Sequence, residues 1–385
     1  MEGCVVKVSA PGKVILHGEH SVVYGKTAIA VSLGLRTSVS ITERTGTDFI
    51  INLPSVKLKQ KIALATLIDG LLNQTGTQNP DSVVHEIHLQ KIDEFINKFL
   101  GNISGDQRNA IRGFLYLTSG ILGGSNSGLL DQGLEVVLVS ELTIGAGTGS
   151  SASFAACLAG GMIQFARVKK SCGAKEFDES DRRLISKWAF NCEKIMHGSP
   201  SGIDNTTCTF GSLVAFRKGI EPQILDLRLN LRILLVDTRV SRQTRALTAR
   251  VVALRESNPR AVDCIMEAID HVTISAKQIL ENLGCSGPNG DTSSEYQRLE
   301  ELWNMNHCLL ASLGVSHPTL ESIRASACAH GLACKLTGAG GGGYAIVLVP
   351  PSTAQSAVDA LTTELTSKGF AVKDTQLGGP GVILH

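Results

Sequence analysis

"ELTIGAGTGSSASFAACLAG", residues 141–160, sets Gly145, Gly147 and Gly149 on alternate positions, then two serines, then an alanine-rich apolar run. Glycine inside a helix or strand costs roughly 0.5–1 kcal/mol relative to alanine, so such a cluster marks backbone that bends or is approached closely. The preceding "LEVVLVSEL" (134–142) reads as a strand, and the run from about Ser151 to Val168 as a helix. A strand, a glycine turn and a helix N-terminus form an anion site, because unpaired N–H groups face outward at the positive end of the dipole. Glycines also let backbone wrap a polyphosphate as a nest of donors. Ser150 and Ser151 can cap the helix, and one hydroxyl is placed for a phosphate-bound Mg2+. Taken alone, a glycine turn without a ligand is an equal reading. The segment is not a Walker A loop, since no Gly-Lys-Ser/Thr follows, and not a dinucleotide fingerprint. The chain has no protein-kinase HRD/DFG pair.

The bulk properties narrow the field. A chain of 385 residues has room for two domains, and its 43% hydrophobic and 18% charged content is that of a globular protein. A net charge of +1 gives no global reason to expect nucleic acid or an anionic membrane as partner, and no basic-aromatic pattern supports one. The ten cysteines are scattered without a CxxC pair or zinc spacing, which predicts free thiols in a reducing compartment. "MEGCVVKVSAPGKV" has no signal-type apolar core, no run approaches a membrane span, and "GVILH" carries no retention or peroxisomal tripeptide. A cytoplasmic location is expected.

Outward from the glycines, "VVKVSA" (5–10), "TAIAVSL" (27–33) and "TSVSITE" (37–43) alternate as strands. Residues 86–101 and 107–122 read as helices. So does "DRRLISKWAFNCEKIMHG", which puts Leu184, Ile185, Trp188, Cys192 and Ile195 on one face with Gly198 as its stop. Near residue 225 the pattern restarts with the buried-strand run "LRILLVDT" (231–238). Helical periods follow over 246–283, 294–312 and 318–330, with "GPNGDTSS" (287–294) as a surface loop. The end reads strand, glycine turn, strand, helix, strand, strand, so two α+β domains are expected with a junction at 225–230.

Two further stretches break local rules. In "PGKVILHGEHSVVYGK" (11–26), His17, Glu19 and His20 suggest a metal at first sight. A zincin needs HExxH on one helical face, and in a strand or turn these side chains diverge. Glu19 and His20 are expected to bond a polar ligand or each other, or to stand in a structural turn. "KLTGAGGGGYAIVLV" (335–349) packs five glycines into six positions before a strand. A third segment, "CEKIMHGSPSGIDN", supplies Glu193 near a helix end and Asp204 beyond a Pro/Gly turn. Asp204 is either a helix cap or a base paired with a cation such as Lys13, and a carboxylate with a lysine is a usual means of ionising an alcohol for phosphoryl transfer.

In combination these stretches resemble, in order and over nearly the whole chain, the motifs of the GHMP small-molecule kinases. "APGKVILHGEHSVVYGKTAIAVSL" is similar to the N-terminal motif of the branch that phosphorylates mevalonate. Galactokinases would carry Arg-x-Asn ahead of the Gly-Glu-His, and phosphomevalonate kinases a Gly-Glu-Tyr. "GAGTGSS", "EKIMHGSPSGIDN", "TRVSRQTRAL" and "KLTGAGGGGY" match the remaining motifs.

The resemblance implies an α+β, two-domain fold: a ribosomal-protein-S5-like βαβ N-terminal domain (1–228), binding ATP and substrate, and a ferredoxin-like C-terminal domain (229–385). It implies ATP-dependent phosphorylation of the C5 hydroxyl of (R)-mevalonate to 5-phosphomevalonate, an early step of isoprenoid and sterol biosynthesis. Asp204 would be the base and Lys13 its partner beside the hydroxyl and triphosphate. Gly145, Ala146, Gly147, Thr148, Gly149, Ser150 and Ser151 would cradle ATP, with Ser55 and Ser140 at nucleotide-contact positions. Ser151 and Glu193 would hold Mg2+. Glu19, His20 and Thr244, with Arg242, would face the substrate, and Gly338–Gly343 would support the phosphates. A homodimer and feedback inhibition by isoprenoid diphosphates are implied as well. Thr143 and Ile144 stand where relatives often have Pro-Pro, and Thr148 where they have Leu, which predicts a looser loop entrance. Two alternatives remain: another GHMP kinase acting on a sugar or homoserine, and a catalytically silent ligand sensor on the same fold. The sensor would lack the base or a metal ligand, whereas Lys13, Ser151, Glu193 and Asp204 are all present.

Overall fold

The computed structural model describes residues 4–76, 78–101, 103–198, 200–227, 229–241, 244–285 and 291–385. Its first half comprises β1 (Val5–His17), β2 (Thr27–Arg44), the hairpin β3 (Asp48–Leu53) and β4 (Leu58–Ala63), α1 (His85–Phe99), α2 (Gly105–Leu122), β5 (Gly133–Ser140), α3 (Ser150–Lys169), α4 (Glu179–His197), α5 (Ile203–Phe210), β6 (Leu213–Arg217) and β7 (Gln223–Leu225). The second comprises β8 (Leu231–Asp237), α6 (Thr244–Ser257), α7 (Pro259–Cys285), α8 (Ser293–Ser312), α9 (Pro318–Ala329), β9 (Cys334–Leu336), β10 (Tyr344–Leu348), α10 (Gln355–Ser367), β11 (Ala371–Leu377) and β12 (Ile383–Leu384).

The strand and helix order expected from the sequence is present, with informative differences. The two strands expected at 27–33 and 37–43 are one strand, β2, which pairs with β1, β5, β6 and β11. Gly34 lets it run on beneath β11: a Cβ there would lie 2.7 Å from Thr375 Oγ1. The helical run over 246–283 breaks between α6 and α7 at Pro259, which lacks an N–H and so suits the first position of a new helix. The β3–β4 hairpin and the short β6 and β7 carry weak signals in the sequence. In β4, "LKQKIA", Leu58 and Ile62 are buried while Lys59 and Lys61 face out, as befits an edge strand. Part of the loop expected at 287–294 lies outside the described residues.

In the second half the strand order is β11-β8-β10-β9, all antiparallel, which is the ferredoxin-like arrangement. β8 is apolar from Ile233 to Val236 because both its faces are covered there: Ile233 and Leu235 enter one core, Leu234 and Val236 another. A boundary at 228/229 falls in the connection from β7 to β8, and strand pairing crosses it, through Leu33–Leu377 and through β12 on β1. Among the described residues no helix is long and apolar enough to cross a membrane. All ten cysteines are free.

The alanine-rich run of α3 has a packing cause. The helix lies against β1 and β2, where Ser153 Oγ donates to Ala10 O at 2.9 Å and Cys157 Sγ to Val8 O at 3.3 Å. A Cβ on Gly161 would stand 2.8 Å from Val39 Cγ1. Replacing Gly161 with leucine is therefore expected to destabilise the fold by about 1–3 kcal/mol through overpacking. Urea denaturation checks this; an unchanged midpoint would refute the close-packing account.

Candidate active site

Lys13 lies on β1 between two register shifts against β2, at Pro11/Gly12 and Ile15/His17. Its backbone N–H donates to Thr148 O at 2.8 Å, which docks the glycine loop on the strand. Gly145, Gly147 and Gly149 have φ of 75°, 83° and 71°, a region that L side chains rarely adopt. A Cβ on Gly149 would also stand 2.8 Å from Lys13 Cγ. The loop thus needs glycine both for its turns and for its contact with the lysine. Gly149 occupies the cap position of α3 and no side chain caps the helix, so the capping role expected of Ser150 and Ser151 does not hold. The first N–H groups of α3 are left without intrahelical partners, at the positive end of a 20-residue helix.

Ser151 Oγ donates to Glu193 Oε1 at 3.2 Å and lies 3.0 Å from His197 Nε2. Both partners come from the last turns of α4, which Gly198 ends at φ 89°. Gly202, at φ 88°, then opens α5. Gly202 is the cap of that helix, so Asp204 is not. Asp204 Oδ1 instead meets Lys13 Nζ at 3.0 Å. Lys13 is buried and Asp204 half-buried. Burial, reinforced by the negative charge of Asp204, pushes the Glu193 carboxyl up to about 8, against the pull of Lys13 and the Ser151 hydrogen bond. A buried carboxylate with one hydroxyl for company is a site that a cation would relieve. Glu193 and Ser151 offer hard oxygen donors suited to Mg2+, which usually takes one or two protein ligands and completes its shell from phosphates and water. Among the described residues no group of three or more His, Cys, Asp or Glu converges as a metal cage.

On the far side of α5 opens a cavity of about 1320 Å3. Glu19, His20, Thr244, Gly338 and Ala339 line it, as do Ile203 and Asn205, which flank Asp204. Lys13, which packs on Gly149, and Asp204 are not among the residues that line it. Glu19 bonds neither His17 nor His20: its Oε1 pairs with Lys335 Nζ, and its Oε2 accepts from Asn306 Nδ2 at 2.9 Å. His20, at φ 61°, sets Nε2 2.9 Å from Ala339 O. His17 is fully buried, and burial lowers its pKa well below the usual imidazole range.

The outlying candidates fall at the ends of the same strands. Ser140 ends β5, its Oγ 2.8 Å from Thr37 Oγ1, and the exposed Ser55 sits in the turn that packs on β5. Arg242 lies outside the described residues. In the third motif, Gly341 N and Gly343 N donate to Val315 O (2.8 Å) and Val240 O (3.0 Å), so these amides brace the loop itself. The loop entrance expected to be loose is tied: Tyr344 Oη donates to Thr143 Oγ1 at 3.0 Å. Sequence reading missed Lys335, Asn306, His197 and Tyr344. For Lys335 a signal existed, since a lysine between Cys334 and Leu336 in an apolar strand demands a buried partner.

The family model "GHMP kinases N terminal domain" matches residues 112–212, and "GHMP kinases C terminal" matches 292–366. The mevalonate kinase of Mus musculus is 35% identical over 98% of this chain and 94% of its own length. That of Homo sapiens is 36% identical over 99% and 95%. The chain belongs to the mevalonate kinase family. The solved structure of the L. major mevalonate kinase in complex with R-mevalonate superposes with a TM-score of 0.71 at 20% identity, over 99% of this chain and 98% of that one, and shares its fold. The enzyme thus carries its glycine loop, the Lys13–Asp204 ion pair and the Ser151–Glu193 contact on a kinase scaffold.

Glu193 gives a pH-dependent expectation. Its carboxyl titrates near 8 folded against 4.5 ordinarily, so the folded state holds the proton more tightly. The burial cost is absent below the ordinary value, grows as pH rises and is complete above about 8. Glu193→Gln should therefore melt higher than the wild type at pH 8.5, with the difference vanishing near pH 5. Parallel melting curves at all pH values would refute the account.

Proposed function

We propose that the enzyme transfers the γ-phosphoryl group of ATP to the C5 hydroxyl of (R)-mevalonate, with Asp204 as general base. The observation that carries this reading is the 3.0 Å Lys13–Asp204 pair, with Lys13 packed on Gly149 of the glycine loop and Asp204 flanked in the chain by Ile203 and Asn205 of the cavity lining. Phosphoryl transfer asks the protein mainly for positioning and charge stabilisation. The glycine loop, from Gly145 to Ser151, receives the triphosphate through backbone N–H groups and the start of α3, with Ser55 and Ser140 toward the nucleoside. The cavity receives the alcohol against Glu19, His20 and Thr244. Asp204 takes the hydroxyl proton as the new P–O bond forms, and Lys13 stabilises the negative charge that develops between acceptor and phosphate. Mg2+, held by Ser151 and Glu193, would supply neutralisation of the phosphate charge when bound.

The same reading includes a 228/229 domain boundary, a homodimer, a cytoplasmic location and inhibition by isoprenoid diphosphates competing with ATP; these rest on family likeness and, for location, on the free cysteines. A silent sensor is disfavoured because base, lysine and both oxygen ligands occur together.

ADP release measured with mevalonate, phosphomevalonate, galactose and homoserine tests the substrate; faster turnover of any of the other three would overturn it. Asp204→Asn keeps the side-chain shape but removes the acceptor charge. Single-turnover transfer with both substrates saturating should fall by about 10²–10⁴-fold. A chemical step within about tenfold of wild type, below the range general-base catalysis supplies, would remove Asp204 from that role.

A further inference from the structure

Lys335 is fully buried, and its ammonium has two acceptors: Glu19 Oε1 and, at 2.7 Å, Leu336 O. The other oxygen of Glu19 is held by Asn306 on α8, at 2.9 Å. The next residue of α8, His307, accepts the N–H of Leu336 at Nδ1 (3.2 Å), and its Nε2 lies 2.9 Å from Glu321 Oε1. Strand β9, helix α8 and the turn after β1 are thereby locked around one carboxylate, which lines the cavity. Nothing in the transfer step uses Lys335. A fully buried cation in an apolar strand is costly to keep unless paired, and here its partner is a residue of the pocket wall.

We propose that Lys335, assisted by Asn306, is a positioning residue for the acceptor substrate: it fixes the buried Glu19 carboxylate and, through it, the turn after β1 whose next residue, His20, lines the cavity. The inference rests on the cavity being the acceptor pocket, as proposed above.

The test is a double-mutant cycle on steady-state kinetics, read on whichever acceptor of the panel the wild type turns over. Lys335→Met should raise the KM for the acceptor by roughly tenfold or more, the scale of losing one charge-assisted hydrogen bond. The KM for ATP and kcat should stay within about threefold, a split that general destabilisation would not produce. In a Glu19→Gln background, Lys335→Met should add nothing, because Lys335 acts only through Glu19. That double variant is neutral on both sides of the buried pair, so it leaves no orphaned charge and is the form to measure if Lys335→Met does not fold. Asn306→Leu, which keeps the ion pair, should raise the acceptor KM several-fold in the same pattern. Unchanged acceptor KM in Asn306→Leu and Lys335→Met, or additive losses in the cycle, would overturn the assignment of Lys335. Turnover of another acceptor over mevalonate would instead overturn the substrate reading and leave this one standing on its own data.

Discussion

The hydrogen bond from Lys13 N to Thr148 O is the contact on which the geometry of this site depends. It seats a helix-capping loop directly on β1, with Gly149 beneath the lysine side chain where a methyl group would collide. Because the loop sits this close, one strand presents its lysine to the start of α3, and the first turn of that helix faces the last turn of α4. Two glycines at φ near 90° then reverse the chain so that α5 brings Asp204 back to the lysine. The small side chains along α3 serve the same end, since a bulkier helix would lift the loop away from the sheet.

Charge is concentrated where the fold excludes water. Glu193 is buried without a cation of its own, Lys335 is buried with Glu19, and Lys13 shares Asp204. Each arrangement carries a desolvation cost, and buried charges are tolerated only when paired or hydrogen-bonded. His20, at φ 61°, is a strained position in the same place. A fold that keeps such features beside its cavity trades stability for a site whose groups need not reorganise when substrates arrive.

The sheet carries these constraints across the molecule. β2 bonds strands from both halves, and the turn after β1 meets β9 and α8 through Glu19 and meets the third glycine motif through His20. The wall of the cavity is therefore assembled from residues far apart in the chain, as the separation of 319 positions between His20 and Ala339 shows. The two halves meet through buried polar contacts at the site itself as well as through apolar packing.

The sequence by itself determined what local chemistry can determine. The glycine spacing after an apolar strand announced the loop and α3, the 3.6-residue period with Gly198 announced α4, and the restart at "LRILLVDT" announced the second half. Motif order marked out Lys13, Ser151, Glu193 and Asp204, which lie together in the structure as two contacting pairs. Edge strands such as β4 stayed hidden because their pattern is half polar by design. The choice between cap and ion pair for Asp204 was also beyond the sequence, since both use the same residue at the same place and only the approach of β1 separates them. The partner of Glu19 was the deepest omission. A buried carboxylate must find a donor, but which of the chain's lysines supplies it depends on how β9 is laid beside the turn after β1, and that is a property of the tertiary structure alone.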